Sequence, residues 1–525
     1  MYYKGVYHLF YQYNSHGPTW DAGTISWGHS VSLDLVNWSA LHNALDPNSL
    51  FDAKGCWSGS ATILHDDGTP IMLYTGVTAT GVQVQNLAFP KNASDPHLRE
   101  WVKPSYNPVI PLPRDVLNDN FRDPSTAWLG RDGFWRVAVS AQIKDSVAAS
   151  TLIFRSKDFR RWERNAEPLY ESGPAGMVEC PDLFPVAEPG VQNGVDLLAP
   201  SDAAARHVLK LSVMATHQDY YVVGRYDDAA DTFALAGADN DCRTWHRFDY
   251  GHVYASKSFY DAGKKRRVLW SWANESDPVQ DYVARGWAGV QTVPRKIWLD
   301  GDGKQLLQWP IEEIETLRIK RGVGLQLGAE VNAGGMKEIM GVAGTQADVE
   351  VVFEVPALDG AENLDPNQLL DPQRLCGENG ASVRGGVGPF GLLVLASSDL
   401  QEHTSVFFRV FRHDGEYKVL MCTDLRRYTA SKKLLKYRTD VYKPPYGGFV
   451  DIDIQKERSI SLRTLIDHSV VESYGGGGRA VITARVYPEH AETSNSRLFM
   501  FNNGTGVIKV PKLDAWELKA ASIAQ

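Results

Sequence analysis

No run of about 20 consecutive apolar residues, the length a helix needs to cross a bilayer, occurs in the chain, so no membrane partner is expected. Cysteine is scarce. There are five, Cys56, Cys180, Cys242, Cys376 and Cys422, and no two stand in C-x-x-C spacing, which argues against a zinc site. Positive charge is not in excess. With 54 Lys and Arg against 63 Asp and Glu, the net charge is −9, and the global field gives nucleic acid or an anionic membrane no reason to bind. No basic stretch followed by an apolar one opens the sequence, so no secretory leader is visible. Helical periodicity is also rare, which turns attention to strands.

Aromatics and turn formers are abundant: 15 Trp, 22 Tyr and 46 Gly in 525 residues suit an all-β chain of two or more domains. In the first 300 or so residues, short β-like runs alternate with turn signals, as at 68–77, 134–142, 207–216, 252–261 and 266–274. A weak repeat runs through them. "SLDLVNW" (32–38) and "SKDFRRW" (156–162) share Ser-x-Asp-x-x-x-Trp, the kind of recurrence that β-propeller blades leave in a sequence. "WPIEEIETLR" (309–318) reads as a short connecting helix with Pro at its start and Glu in its first turn. Strand-like runs then resume at 347–355, 390–398, 404–411, 417–424, 459–474 and 479–488, as in a β-sandwich. The Gly-, Asn- and Asp-rich stretch 357–386 reads as a long surface loop. Cys376 and Cys422 both lie in the C-terminal third and are the candidates for a disulfide; the other three cysteines read as buried thiols. Asn-x-Ser/Thr sites at Asn37, Asn92, Asn274 and Asn503 permit a secreted origin and glycosylation.

Two stretches carry acids in informative company. In "NDNFRDPS" (118–125), Pro124 biases Asp123 away from helix toward an extended or turn conformation, and Arg122 precedes it. In "GMVECPDLFP" (176–185), Glu179 sits among Met177, Val178, Cys180 and Pro181. Apolar surroundings disfavour the charged form of an acid, which is what a general acid requires. Taken singly, each has a plain reading: an Asp capping a turn, and a strand Glu facing water.

Together the stretches resemble glycoside hydrolase family 32, the β-fructosidases, in the plant cell-wall invertase and fructan exohydrolase group. "FRDP" (121–124) and "ECPD" (179–182) look like that family's Arg-Asp-Pro and Glu-Cys-Pro motifs. "WSGSAT" (57–62), "YTG" (74–76), "SWANESD" (271–277), "GWAGVQTVPRKIWLD" (286–300) and "IDHSVVESYGGGGRAVITARVYP" (466–488) follow in the family's order. The resemblance implies a five-bladed β-propeller over 1–308, a linker with a short helix over 309–329, and a β-sandwich over 330–525. It implies that Glu179 is the acid/base and that Asp123 stabilises the transition state through fructose hydroxyls. Arg122 would orient the acids, and Trp57, Ser58, Tyr74, Trp20 and Cys180 would line the substrate pocket. The reaction would be retaining hydrolysis with no metal and no cofactor, on sucrose or fructan, by a monomer secreted to the apoplast or cell wall of a plant, with the vacuole as the alternative.

The family's nucleophile Asp sits in an Asn-Asp-Pro-Asn-Gly motif that would end just before Met1. Neither "DPNSL" (46–50) nor "DPNQL" (366–370) replaces it. The expectation is weak hydrolysis by the sequence as it stands and activity once the motif is restored. On substrate, sucrose-cleaving relatives carry two adjacent Asp residues and then a Lys three positions after the second, a pattern from which "NESDPVQDYVARGWAG" (274–289) departs. There Asp281 would be the first Asp, with Tyr282 and Arg285 in place of the second Asp and the Lys, which leans toward a fructan exohydrolase. A catalytically inactive fructoside-binding homologue and a fructosyltransferase are the rival readings.

Overall fold

The structure is a computed structural model, and it describes residues 1–197, 205–321, 328–427, 444–489 and 496–524. Five antiparallel sheets follow one another along residues 2–310 as the blades of a propeller. Blade I holds Tyr2–Tyr3, Val6–Tyr13, Ser26–Ser32 and Trp38–Leu45. Blade II holds Cys56–Ile63, Pro70–Val77, Gln83–Pro90 and Trp101–Val102. Blade III is built on Val116–Arg122, Trp135–Ile143 and Ala149–Ser156, blade IV on Val178–Pro185, His207–Val213 and Gln218–Asp227, and blade V on Val253–Asp261, Arg266–Ala273, Arg295–Leu299 and Leu306–Pro310.

Most middle strands are buried on both faces, which is why they read as nearly continuous apolar runs. Side chains alternate across a strand, and here the alternation serves two neighbours. In Pro70–Val77, Ile71 and Leu73 pack toward blade III beside Val137 and Phe154, while Met72 and Tyr74 pack toward blade I beside Trp27 and Leu45. In His207–Val213, Leu209 and Leu211 join the blade III side and Val208 joins Leu269 and Ile297 of blade V. The ring closes between blades V and I, where Tyr7, Leu35 and Val36 meet Val268, and the Tyr7 hydroxyl donates to Asp261 at 3.0 Å.

The Ser-x-Asp-x-x-x-Trp repeat is one turn used twice. Ser32 Oγ accepts from the Asp34 N–H, Asp34 accepts from the Val36 and Asn37 N–H groups, Leu35 sits at φ 62°, and the Trp38 indole donates back to the Leu35 carbonyl. Ser156, Asp158, Phe159 (φ 57°) and Trp162 repeat every step in blade III.

After the propeller come two seven-stranded sheets packed as a sandwich around Val349, Phe390, Phe408, Val419 and Ile482. The domain limits shift from those expected. Trp309 and Pro310 end the last strand of blade V, and the helical turn, a 3-10 helix, begins only at Glu312–Leu317. Arg318–Arg321 already pairs with the sandwich strand Ile508–Leu518, and Ile523–Ala524 crosses back to pair in parallel with Trp38–Ser39 of blade I. The stretch 357–386 is not simply a loop. It contains the helix Pro372–Glu378, which carries Cys376 into the core, where it forms a disulfide with Cys422 (Cα–Cα 5.8 Å).

Propeller and sandwich are joined through backbone and charge. The Tyr250 and His252 N–H groups donate to the Val481 and Thr483 carbonyls, so blade V continues into the sandwich strand Ala480–Arg485. Beneath this seam Arg295, fully buried, pairs with Asp249 and Glu472, both at 2.9 Å.

Candidate active site

The inner strands of three blades carry a bulge near their N-terminal ends. Pairing slips between Cys56 and Gly59 in blade II, between Glu179 and Asp182 in blade IV, and between Tyr254 and Lys257 in blade V. An extra residue in one strand bends it and re-aims the neighbouring side chain. The residues beside these slips are Trp57, Glu179 and Tyr254; Glu179 turns to Arg122 of blade III and Tyr254 turns to Glu179, while Trp57 meets Trp20.

The Arg122–Asp123 segment is gripped by the polar face of blade II. Gln83 accepts from the Phe121 N–H and donates to the Asp119 carbonyl, Gln85 donates to the Phe121 carbonyl, and Thr75 Oγ1 accepts from the Asp123 N–H, all at 2.8–2.9 Å. Asp123 is thereby held at φ 66°, in the left-handed region that Asp tolerates better than most residues, so of the extended and turn conformations open to it before proline it takes a turn-type one. Its Oδ2 accepts the Cys180 N–H at 3.0 Å, with the Cys180 thiol 3.6 Å away. Because Cys180 follows Glu179 directly, this bond joins the two acid-bearing segments, 57 residues apart in sequence.

Glu179 lies in polar company, unlike its sequence neighbourhood, because its strand turns Val178 inward and Glu179 toward the pocket. Arg122 Nε donates to its Oε1 at 2.8 Å, and the Tyr254 hydroxyl donates to its Oε2. Arg122 also reaches the Asp119 carbonyl, Asn120 and the sulfur of Met214. Burial, and after it the charge of Glu179, raises the Asp123 carboxyl above the usual carboxylate range; Arg122, the Cys180 N–H and Lys257 pull against this. Burial by itself would lower Arg122, but Glu179 and Asp123 raise it. Burial pushes the Tyr254 hydroxyl well up, with the Glu179 carboxylate adding to it.

Trp20, 56% exposed, stands edge-on to the half-buried Trp57 at 5.4 Å, an aromatic wall with Ser58 beside it. Other expected pocket residues fall elsewhere. Tyr74 has no exposed surface. Its hydroxyl donates to the buried Asp52 at 2.7 Å, which Lys103 also pairs at 2.6 Å, so Tyr74 supports the blade I–II core and touches no substrate. Cys180 is 5% exposed and acts through its N–H on Asp123, not on a ligand. Tyr282 is the buried residue of the helix Val279–Arg285, and Arg285 pairs with Asp277 at 2.7 Å and stacks on Trp287 and on Tyr487 of the sandwich. Tyr282 is thus packed inside its own helix segment and Arg285 is spent on Asp277 and on the seam with the sandwich, which leaves neither side chain free for a sugar. At the rim beside Arg122 stands instead the turn after His207–Val213, with Met214 46% exposed and the His217 ring packed on Tyr254 at 5.1 Å.

Of the sequons, Asn274 is 4% exposed and followed by buried Glu275 and Ser276, so burial removes it as a glycan acceptor. Asn503 spends its amide on the Ala381 carbonyl; Asn37 and Asn92 are exposed. Thr75, Gln83, Gln85, Tyr254, Lys257 and Met214 escaped the sequence reading. The only signal was "VQVQN" (82–86), an alternating strand whose polar face turned out to be buried. Among the described residues no group of three or more His, Cys, Asp or Glu is placed to hold a metal ion.

Residues 1–310 match the glycosyl hydrolases family 32 N-terminal domain, and residues 313–517 match the C-terminal domain of the same family. Fructan 6-exohydrolase of Triticum aestivum is 68% identical over 533 residues, covering 100% of this chain and 88% of that protein. The insoluble β-fructofuranosidase isoenzyme 7 of Oryza sativa subsp. japonica is 67% identical over 526 residues, covering 100% and 86%. Fructan 1-exohydrolase IIa of Cichorium intybus, solved in complex with 1-kestose, superposes with a TM-score of 0.92 at 46% identity, covering 100% of this chain and 95% of that one.

Proposed function

The chain belongs to glycosyl hydrolase family 32, and from that premise we propose that it hydrolyses terminal non-reducing β-D-fructofuranosyl residues of fructans or sucrose with retention of configuration. The observation that carries the reading is the convergence of Asp123 and Glu179, bridged by the Cys180 N–H and by Arg122.

In this reading Glu179 protonates the leaving oxygen and later takes a proton from the incoming water. Arg122 and Tyr254, each on one carboxylate oxygen, fix its orientation. Asp123 binds hydroxyls of the fructose ring, and these bonds strengthen as the ring flattens toward the oxocarbenium-like state, so they favour the transition state over the ground state. Attack on the anomeric carbon is the task of the carboxylate in the family's Asn-Asp-Pro-Asn-Gly motif, which leaves Asp123 and Glu179 with binding and proton transfer. Trp20 and Trp57 offer the sugar an aromatic face.

Fructan is the favoured substrate because exposed apolar side chains, Met214 beside Arg122 and the Trp20–Trp57 pair, offer surface to a longer sugar. The disulfide Cys376–Cys422 suits an oxidising compartment, which supports action in the cell wall or vacuole. Fructose released from a fructan oligosaccharide and from sucrose, at equal concentration, by the protein carrying the Asn-Asp-Pro-Asn-Gly motif tests the reading. The fructan is expected to be cleaved faster, and Glu179→Gln to lower both rates by about 10³-fold or more. Release unaffected by Glu179→Gln refutes the catalytic assignment; faster cleavage of sucrose refutes the fructan preference alone.

A further inference from the structure

The bulges that aim Glu179 and Tyr254 leave backbone carbonyls without strand partners, and two lysines occupy them. Lys210, 1% exposed, donates from Nζ to the Cys180 carbonyl at 3.2 Å and to the Ser256 carbonyl at 2.6 Å, so one ammonium ties the blade IV bulge to the blade V bulge. Its remaining bond goes to Ser212 Oγ at 2.7 Å, and Ser212 donates to Asp219, whose other oxygen accepts the Ser256 N–H. Lys257 donates to the Pro181 carbonyl at 3.1 Å, one residue on. The doubled backbone is held in uncommon conformations, Cys180 at φ 47° and Ala255 at φ 53°, which persist only where the surroundings over-determine them.

We infer that Lys210 and Lys257 are positioning residues of the active site: they clamp the paired bulges so that Glu179 meets Tyr254 and the Cys180 N–H meets Asp123. This rests on the proposed hydrolysis. The groups facing Asp123 are Arg122 from its own segment, Glu179 and the Cys180 thiol from blade IV, Lys257 from blade V, and the neutral Thr75 from blade II. Lys257 is one of two cations in that set. Losing it raises the Asp123 pKa further, so Asp123 is protonated at a higher pH and the acidic limb of activity moves toward neutrality.

The test compares wild type, Lys257→Met, Lys257→Arg and Lys210→Met in the full-length protein, reading kcat, KM and the pH profile of kcat/KM for fructose release, with thermal unfolding alongside. Lys257→Met is expected to unfold within a few degrees of wild type, lose about 10- to 100-fold in kcat with little change in KM, and shift its acidic limb upward. Lys257→Arg, which keeps the charge and a donor, is expected to restore the limb. Lys210→Met is expected to lose both kcat and stability, because it also removes the ammonium that stands 3.6 Å from the buried Asp219 carboxylate; should it fail to fold, the Lys257 pair decides. An unchanged limb together with kcat within about twofold of wild type in Lys257→Met overturns the inference. If Glu179→Gln leaves wild-type release intact, the hydrolytic reading is what fails instead.

Discussion

Blade I contains a buried imidazole pair whose protonation sets an acid limit on the fold. His8 Nδ1 and His29 Nε2 lie 3.0 Å apart, and His8 Nε2 lies 3.1 Å from the Pro96 carbonyl. A carbonyl only accepts, so His8 carries its proton on Nε2, its Nδ1 accepts from His29 Nε2–H, and His29 Nδ1 is left bare in a pocket with no partner among the described residues. Both rings are buried, and burial lowers each pKa from 6.5 to about 3. The folded values lie below the unfolded ones, so the stabilisation is present above pH 6.5 and drains away as pH falls through the window from 6.5 to about 3. Linkage gives a loss of about 2 kcal/mol per histidine between pH 7 and pH 5, or ~4 kcal/mol for the pair. With an unfolding entropy of ~1.1 kcal/mol/K for 525 residues, that is about 3–4 °C in Tm if the chain unfolds as one unit. The assay is thermal unfolding at pH 7 and pH 5 for wild type and for His8→Gln/His29→Gln. Each protein is compared with itself, so the general damage done by the substitutions cancels. The variant should lose about 3–4 °C less than wild type on acidification. Equal losses in the two proteins, within about a degree, refute the reasoning.

Other consequences follow from single contacts. The Cys376–Cys422 bridge closes a loop of 46 residues, so Cys422→Ser in the oxidised protein should lower unfolding stability by about 4 kcal/mol on the chain-entropy model, and reduction of wild type should match it in denaturant titration. Tyr282→Asp puts a charge into a buried helix position, so Tm should fall while the fructan-to-sucrose rate ratio stays put; a shifted ratio would restore Tyr282 to the pocket. Tyr74→Phe leaves Asp52 with Lys103 but one donor short, a cost of about 1–2 kcal/mol with KM unchanged; a raised KM would return Tyr74 to the substrate. Expressed in a glycosylating host, the protein should carry glycan on Asn92 and none on Asn274, read by peptide mass before and after deglycosylation.

The architecture was largely legible because its signals are local. Strand alternation, the Ser-x-Asp-x-x-x-Trp turn and the motifs around Asp123 and Glu179 each lie within ten residues of sequence. What stayed hidden depends on contacts between blades. Gln83 and Gln85 look like the solvent face of an ordinary strand, and only packing turns that face toward Phe121 and Arg122. Tyr74 and Tyr282 look like pocket aromatics, but a hydroxyl bond to Asp52 and the fold of one short helix bury them. The return of Ile523–Ala524 to blade I spans two residues and leaves no pattern to read. The bulges, which aim the acids, appear in sequence only as Cys180-Pro181 and as an unmarked Ala255-Ser256.

The most direct test of the central claim is a crystal structure of Glu179→Gln with a fructan oligosaccharide bound. The terminal fructose is predicted to lie against Trp57, with ring hydroxyls on the Asp123 carboxylate and the glycosidic oxygen within hydrogen-bonding distance of the amide at position 179. A sugar that binds with its glycosidic oxygen away from both side chains contradicts the account.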